Sequence, residues 1–119
     1  AQKYTIDSYD INAFTRTLFD MLDRRICNLS PDVKREFKKL YIAYKLDTNF
    51  VDIVVQKQRL RISLNMKFSE IHDPKGLCKD ITGLGRWGNG DVEVFFEHTS
   101  EIDDVMELIE QSYSKQADE

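Results

Sequence analysis

The glycine-rich stretch at residues 83–91, GLGRWGNGD, has the composition most suggestive of ligand chemistry. Its first six residues spell G-x-G-x-x-G, the pattern of loops that hold the pyrophosphate of a dinucleotide. That chemistry requires a strand before the glycines and a helix after them, because the phosphates bind at the helix N-terminus. Here the stretch leads into a predicted strand from Val92 to Glu97, and Asn89-Gly90 is a tight-turn dipeptide. We therefore predict no dinucleotide site and no bound cofactor.

Arg86 and Trp87 leave two interpretations of this stretch open. In the first, the glycines let the backbone fold tightly, with Trp87 buried and Arg86 exposed. In the second, the stretch is the rim of a binding site, where Arg86 reaches an anion and Trp87 stacks on it. The sequence favours the structural interpretation, since a buried tryptophan ordinarily belongs to the core.

A local excess of positive charge raises the question of nucleic-acid binding. The net charge is −4, but residues 34–67 carry nine Lys/Arg against three Asp/Glu, whereas residues 91–119 carry one Lys against ten acids. Lys57, Arg59 and Arg61 alternate onto one face of a predicted strand, and phosphate contacts need such clusters. The same pattern is typical of a solvated strand face that discourages edge pairing. No aromatic residues alternate with these charges, so we predict weak nucleic-acid binding at most.

Groups able to perform catalysis are few. His72 and His98 each lie beside loop-type residues, so both are predicted to be exposed. Cys27 and Cys78 have no C-x-x-C partner, which argues against zinc and favours a reduced, cytoplasmic protein. No spacing of carboxylates and histidines suits a divalent metal. The sequence therefore predicts no catalytic residue, no metal site and no enzyme activity.

Hydrophobic periodicity predicts a helix near each end of the chain. Apolar residues recur at three- and four-residue steps between Ser8 and Asn28, with Ser8 or Asp10 as the cap. The predicted inward stripe of this helix is Ile11, Phe14, Leu18, Met21, Leu22 and Ile26. Thr99 or Ser100 is predicted to cap the last helix, whose inward stripe is Ile102, Val105, Met106, Ile109 and Tyr113.

Two prolines predict shorter helical pieces. Ser30-Pro31-Asp32 resembles a cap with proline at the first helical position, which predicts one or two further turns. Asp73-Pro74 predicts a short helical turn through Lys79 on the same grounds.

From residue 40 the hydrophobic period changes to two. Strands are predicted at residues 40–46, 50–56, 59–66 and 92–97. In the third of these, Leu60, Ile62 and Leu64 face one way, and the opposite face is predicted to be wet: Arg59, Arg61, Ser63 and Asn65.

The order of elements predicts the fold. Strands and helices do not alternate, which predicts a single two-layer α+β domain over residues 1–119. An antiparallel sheet of four or five strands is predicted to pack against the N- and C-terminal helices. The predicted core of this sheet is Ile53, Ile62, Leu64, Val94 and Phe96.

Residues 73–94, DPKGLCKDITGLGRWGNGDVEV, resemble a family of prokaryotic domains of unknown function that often carry the label "predicted transport protein". The resemblance extends to YIAY at 41–44, QKQRLR at 56–61 and LIEQSY at 108–113. The family pattern often has histidine where this chain has Arg86. The resemblance implies that the chain is a C-terminal module of a larger protein, since some members of the family follow predicted nuclease or restriction-type domains. We do not carry over the transport label, because no apolar run approaches the roughly 20 residues that span a bilayer.

These features together predict a non-catalytic accessory or protein-interaction module of a larger prokaryotic protein. Its expected partners are another protein or other domains of the same chain, with no membrane contact. The alternative is a nucleic-acid-binding module that uses a basic sheet face. The candidate binding residues are Lys57, Arg59, Arg61, Arg86 and Trp87.

Overall fold

The structure is a computed structural model that describes residues 3–84 and 90–118. Two helices, α1 (Ala13–Cys27) and α2 (Ile102–Ala117), pack on one face of an antiparallel sheet. The α+β class and the antiparallel sheet are confirmed. Apolar side chains from both helices and from the sheet form one continuous core between these two layers.

The sheet has six strands, so the predicted number of four or five is wrong. In chain order they are β1 (Lys34–Phe37), β2 (Ile42–Lys45), β3 (Asn49–Val55), β4 (Leu60–Leu64), β5 (Lys79–Asp80) and β6 (Val92–Phe96). Their spatial order is β1-β2-β3-β4-β6-β5, and every neighbouring pair is antiparallel. The strands predicted at 40–46, 50–56, 59–66 and 92–97 correspond to β2, β3, β4 and β6.

The two additional strands follow segments that were predicted to be helical. Val33 N–H donates to Ser30 O at 3.2 Å, so Pro31 occupies the second position of a β-turn, and β1 follows. Gly76 N–H donates to Asp73 O at 3.1 Å, and Pro74 has the same role in the turn before β5. Proline fixes φ near −65°, which suits a β-turn as well as a first helical turn, so the signal was ambiguous.

Both predicted helix caps are also wrong. Ser8 ends a separate 3₁₀ turn, and α1 is capped by Asn12, whose side chain accepts from Thr15 N–H at 2.9 Å. A 3₁₀ turn over Thr99–Glu101 precedes α2. There the Glu101 carboxylate accepts the N–H groups of Glu97 and His98, both at 2.8 Å.

The predicted core residues of the sheet are confirmed. Ile53, Ile62, Leu64 and Phe96 are fully buried, and Val94 is 1% exposed. They alternate along β3, β4 and β6 with residues on the opposite face, which neither helix covers. We call that opposite side the outer face of the sheet.

A polar cluster connects α1 to the first two strands. Asp23 of α1 accepts a hydrogen bond from Tyr44 Oη at 2.7 Å and forms an ion pair with Arg35 at 2.8 Å. Tyr44 is fully buried, and burial raises its pKa well above the usual value, with a further contribution from the Asp23 carboxylate. The cluster therefore holds a neutral tyrosine against a carboxylate beneath the sheet edge.

Candidate functional site

Two neighbouring hairpins bring their tips to the same end of the sheet. Lys39-Leu40 is the tip between β1 and β2, and Lys57-Gln58 is the tip between β3 and β4. The residues that flank each tip are joined by one backbone hydrogen bond, of 2.8 Å in the first hairpin and 3.0 Å in the second. Because the two hairpins are adjacent in the sheet, the tips lie about 10 Å apart across the strands, or two strand spacings, and the pairing registers place the second tip about two residues further out along the strands.

The start of α1 lies beside the second tip. Asn12 Nδ2 donates to Lys57 O at 2.7 Å, which places Phe14 next to this hairpin. Phe14 was predicted to point inward, but it is 46% exposed, whereas its neighbour Thr15 in the same turn of α1 is fully buried. A shallow groove runs along this contact, lined by Asn12, Ala13, Phe14, Lys57, Gln58, Glu97 and His98.

We define the hairpin end as the surface formed by Lys39, Leu40, Lys57, Gln58 and Phe14. Leu40 on the first tip is 57% exposed and Phe14 of α1, beside the second tip, is 46% exposed, so an exposed apolar side chain lies near each lysine. Among residues 3–84 and 90–118, neither Lys39 nor Lys57 forms an ion pair. The hairpin end therefore combines unpaired positive charge with exposed apolar surface.

The tip residues are not of the types that two-residue hairpin connections prefer. Connections of two residues prefer Asn-Gly, Asp-Gly or Gly-containing pairs, because their backbone angles require positive φ. Here the tips are Lys-Leu and Lys-Gln. Local preferences that are violated in this way are expected at functional sites.

Arg59, one of the predicted binding residues, is held within the sheet. Its Nε donates to Gln56 Oε1 at 2.7 Å, and its guanidinium carbon lies 3.7 Å from the centre of the Phe95 ring. Glu97 Oε2 lies 4.0 Å from the guanidinium. The aromatic partner that the sequence lacked near Arg59 is thus supplied by β6, which is distant along the chain.

Arg61 is also paired on the outer face. Its Nε lies 3.8 Å from Glu93 Oε1, and the two side chains are 19% and 2% exposed. Glu93 and Glu97 both belong to the acidic segment 91–119, so this segment neutralises part of the basic middle of the chain within the fold. Of the three predicted basic residues, Lys57 alone projects from a hairpin tip.

The outer face contains buried polar residues that the sequence pattern did not predict. Asp52, Ser63 and Glu93 are direct neighbours across β3, β4 and β6, and they are 2%, 7% and 2% exposed. Asp52 accepts from Asn49 Nδ2 at 3.0 Å. The prediction of a solvent-exposed face is therefore wrong at Ser63. The sequence did contain a signal of these buried polar groups, since Asp52 stands among the valines and isoleucines of β3.

Arg86 and Trp87 lie outside the described residues, so both interpretations of the glycine-rich stretch stay predictions. The ends of the loop are described. Ile81 N–H donates to Asp91 O at 2.9 Å, which joins the two ends beside β5 and β6. Gly90 has a φ of +118°, and a Cβ there would lie 2.6 Å from the Leu64 carbonyl carbon. Glycine is thus required at this position by both backbone conformation and space.

The titratable groups outside the hairpin end offer little catalytic chemistry. His72 and His98 are exposed, as predicted, and Cys27 and Cys78 are half-buried free thiols. Burial, followed by the neighbouring Asp73 carboxylate, raises the pKa of Cys78 to about 12, which keeps this thiol protonated at neutral pH. Within the described ranges, no three His, Cys, Asp or Glu side chains converge to bind a metal.

The fold and this surface define a small α+β domain with a mixed basic and apolar end. The chain belongs to the family described as a domain of unknown function (DUF5655), which matches residues 6–116. An uncharacterized protein from Haemophilus influenzae is 40% identical over 103 residues, which cover 87% of this chain and 34% of that protein. The chain thus spans about a third of the length of this relative. No solved structure matches the chain.

The comparisons name neither a transport role nor a nuclease neighbour. The association with nuclease or restriction-type domains therefore stays a prediction. In the part of the chain that the structure describes, neither helix has the length and apolar character needed to cross a bilayer.

Proposed function

We propose that this domain is a non-catalytic interaction module that binds a protein partner through the hairpin end. The observation that carries the proposal is that each of two adjacent hairpin tips has a lysine beside an exposed apolar side chain: Lys39 beside Leu40 on the first tip, and Lys57 beside Phe14 of α1 at the second. A partner can bury the exposed parts of Leu40 and Phe14, and the neighbouring lysines favour a partner surface of negative charge. The size of the Haemophilus influenzae relative agrees with a module that works together with other domains.

A nucleic-acid-binding module is the alternative, and the charges favour it less. Arg59 and Arg61 face the carboxylates of Glu97 and Glu93, which would repel phosphate groups. Glu97 also lines the groove beside Lys57. Arg86 and Trp87 would extend either binding surface if the rim interpretation of their loop is correct.

Position-specific photo-crosslinking tests the proposal with whichever partner the native cells contain. A photoreactive benzoylphenylalanine replaces Phe14 in the chain expressed in those cells. The matched control places the same residue at Phe68, which is 38% exposed and follows the end of β4 that is remote from the hairpin tips.

We expect a discrete protein adduct at position 14 that disappears with the additional substitution Lys57→Glu and is absent at position 68. Adducts of equal yield at both positions would contradict the proposal, as would adducts that do not depend on Lys57. A crosslink to nucleic acid at position 14 would support the alternative function instead.

A further inference from the structure

The two hairpin tips present the same pair of chemical groups twice. Lys39 lies next to the exposed Leu40 on the first tip, and Lys57 lies next to the exposed Phe14 at the second. The tips are about 10 Å apart across the strands and staggered by about two residues along them, which gives a separation of about 12 Å. A ligand that contacts both tips therefore needs two anionic groups at this spacing, each close to an apolar group.

From this geometry we infer that the partner presents an acidic amphipathic helix. An α-helix rises 1.5 Å per residue, so residues seven or eight apart lie about 10–12 Å apart on the same helical face. Carboxylates at such positions face the two lysines, and apolar residues three and four positions along the helix lie between them against Leu40 and Phe14. The inference rests on the proposed function, because it specifies the chemistry of the protein that binds the hairpin end.

The apolar side chain of the first tip favours a protein helix over a nucleic-acid strand. Leu40 has no flat surface on which a base can stack, whereas it can be buried by a leucine or isoleucine of a helix. Lys38, next to the first tip, is paired with Glu36 at 3.1 Å, and Glu97 borders the groove at the second. The charge of the hairpin end is thus mixed, with only Lys39 and Lys57 lacking an ion pair among these described charged groups.

The residue types at the two tips also favour a binding role over a purely structural one. Asn-Gly at either tip would suit a two-residue hairpin better than Lys-Leu or Lys-Gln. A purely structural hairpin has no need of an exposed leucine at its tip. In contact with an acidic amphipathic helix, Lys39 would pair with a carboxylate and Leu40 would be buried by an apolar side chain.

The test measures the binding of a synthetic helical peptide to the whole 119-residue chain by fluorescence anisotropy. The peptide has roughly 15 residues, the length at which isolated helices become stable. It has glutamates seven positions apart and two leucines between them on the same face. A peptide with lysines in place of the glutamates, a peptide with serines in place of the leucines, and an oligothymidine of similar length serve as comparison ligands.

We expect the acidic peptide to bind, and the peptides that lack either the glutamates or the leucines to bind more weakly. Lys39→Glu and Lys57→Glu should each weaken binding by about tenfold through loss of attraction and added repulsion. The matched control is Lys67→Glu, at an exposed lysine beyond the remote end of β4, which should leave the affinity unchanged. The double substitution Lys39→Asn with Leu40→Gly should weaken binding while the Tm stays the same or rises, which separates binding from folding.

Equal binding of the charge-reversed peptide would overturn the inference, and so would equal weakening by Lys67→Glu. Tighter binding of oligothymidine than of the acidic peptide would overturn it in favour of nucleic acid. If no peptide binds but the crosslink at position 14 forms and depends on Lys57, the proposed function stands and the acidic helix is wrong. If both experiments fail, the hairpin end is not a binding surface.

Discussion

The outer face of the sheet and the hairpin end are both basic in sequence, yet they differ in how the positive charge is used. Arg61 is paired in register with Phe95 of β6 and lies near Glu93, while Arg59, just before β4, contacts the Phe95 ring and faces Glu97 directly after β6. Lys39 and Lys57 lie at tips, beyond the reach of a neighbouring strand, and neither forms an ion pair among the described residues. A strand position surrounds a charged side chain with cross-strand partners, whereas a tip position leaves it accessible to another molecule. A basic residue in a sheet is therefore available to bind a partner only when its cross-strand neighbours do not already neutralise its charge. Those neighbours must be known before binding can be predicted from the basic residues of a sequence.

The comparison predicts that stability resides in the sheet and its helix-covered face, and that the tips contribute little. The largest effect is expected for Leu64→Ala, because Leu64 is fully buried and its truncation leaves a cavity. We expect a loss of about 2–5 kcal/mol in the free energy of unfolding, measured by urea denaturation. The same substitution at the exposed Leu40 is the matched control and should change stability by less than about 0.5 kcal/mol. Similar losses at both positions would remove the distinction between the two regions.

Gly90→Ala should have the next largest effect. The added methyl group meets the backbone of Leu64 and also forces alanine into a φ of +118°. The expected loss is about 2–4 kcal/mol, combining strained backbone with overpacking. Gly83→Ala provides the comparison, since Gly83 has a φ of +80° but nothing within 4 Å of a Cβ. If Gly90→Ala lowers the free energy of unfolding no more than Gly83→Ala does, the clash of the new methyl group with the Leu64 backbone is relieved at little cost.

Tyr44→Phe tests the polar cluster beneath the sheet edge. It removes the hydrogen bond to Asp23 while keeping the ring, so we expect a loss of about 1–3 kcal/mol in unfolding free energy. Arg35 still pairs with Asp23 in the variant, which limits the loss. Unchanged stability would mean that the Tyr44 hydroxyl exchanges this partner for water without cost.

The turn before β5 gives a pH-dependent contribution. Partial burial acts to raise the pKa of Asp73, but hydrogen bonds from Cys78 and Leu77 N–H groups outweigh it and lower the pKa. A lowered folded-state pKa stabilises the fold above the unfolded value of about 3.9, and this contribution is lost as the pH falls through the folded value. Asp73→Asn should therefore reduce stability near neutral pH and flatten its decline below about pH 4. An acid-unfolding profile identical to that of the parent chain would contradict this assignment.

The smallest effects on stability are expected at the hairpin end. Lys57→Ala removes an exposed side chain and should change the unfolding free energy by less than about 0.5 kcal/mol, whereas Phe14→Ala, at a side chain that is 46% exposed, should cost about 1 kcal/mol. The same substitutions should weaken partner binding. A stability loss comparable to that of Leu64→Ala would show that these residues are structural.

The sequence predicted the α+β class and the core because periodic burial dominates β3, β4, β6 and both helices. Ile53, Ile62 and Val94 all belong to such regular patterns. It misassigned β1 and β5, since Pro31 and Pro74 suit a β-turn as well as a first helical turn. The hairpin at Lys39-Leu40 was missed because neither residue is typical of a turn.

The proposed binding surface was only partly predictable. Lys57 was identified from its charge. Phe14 was not, because it is placed beside Lys57 by the hydrogen bond from Asn12 to Lys57, two residues that are 45 positions apart in the chain. The pairing of Arg59 and Arg61 with acids of β6 and its end depends on strand order, which alternation alone does not determine. The buried row of Asp52, Ser63 and Glu93 likewise becomes visible only when the registers of β3, β4 and β6 are known.

An NMR titration of the ¹⁵N-labelled chain with the acidic helical peptide tests the central claim most directly. The account predicts that amide shifts concentrate at Lys39, Leu40, Lys57 and Gln58 and in the first turn of α1, while residues around Phe68 remain unchanged. Shifts concentrated at Arg59, Arg61 and Glu93 on the outer face, with the hairpin tips unaffected, would contradict it.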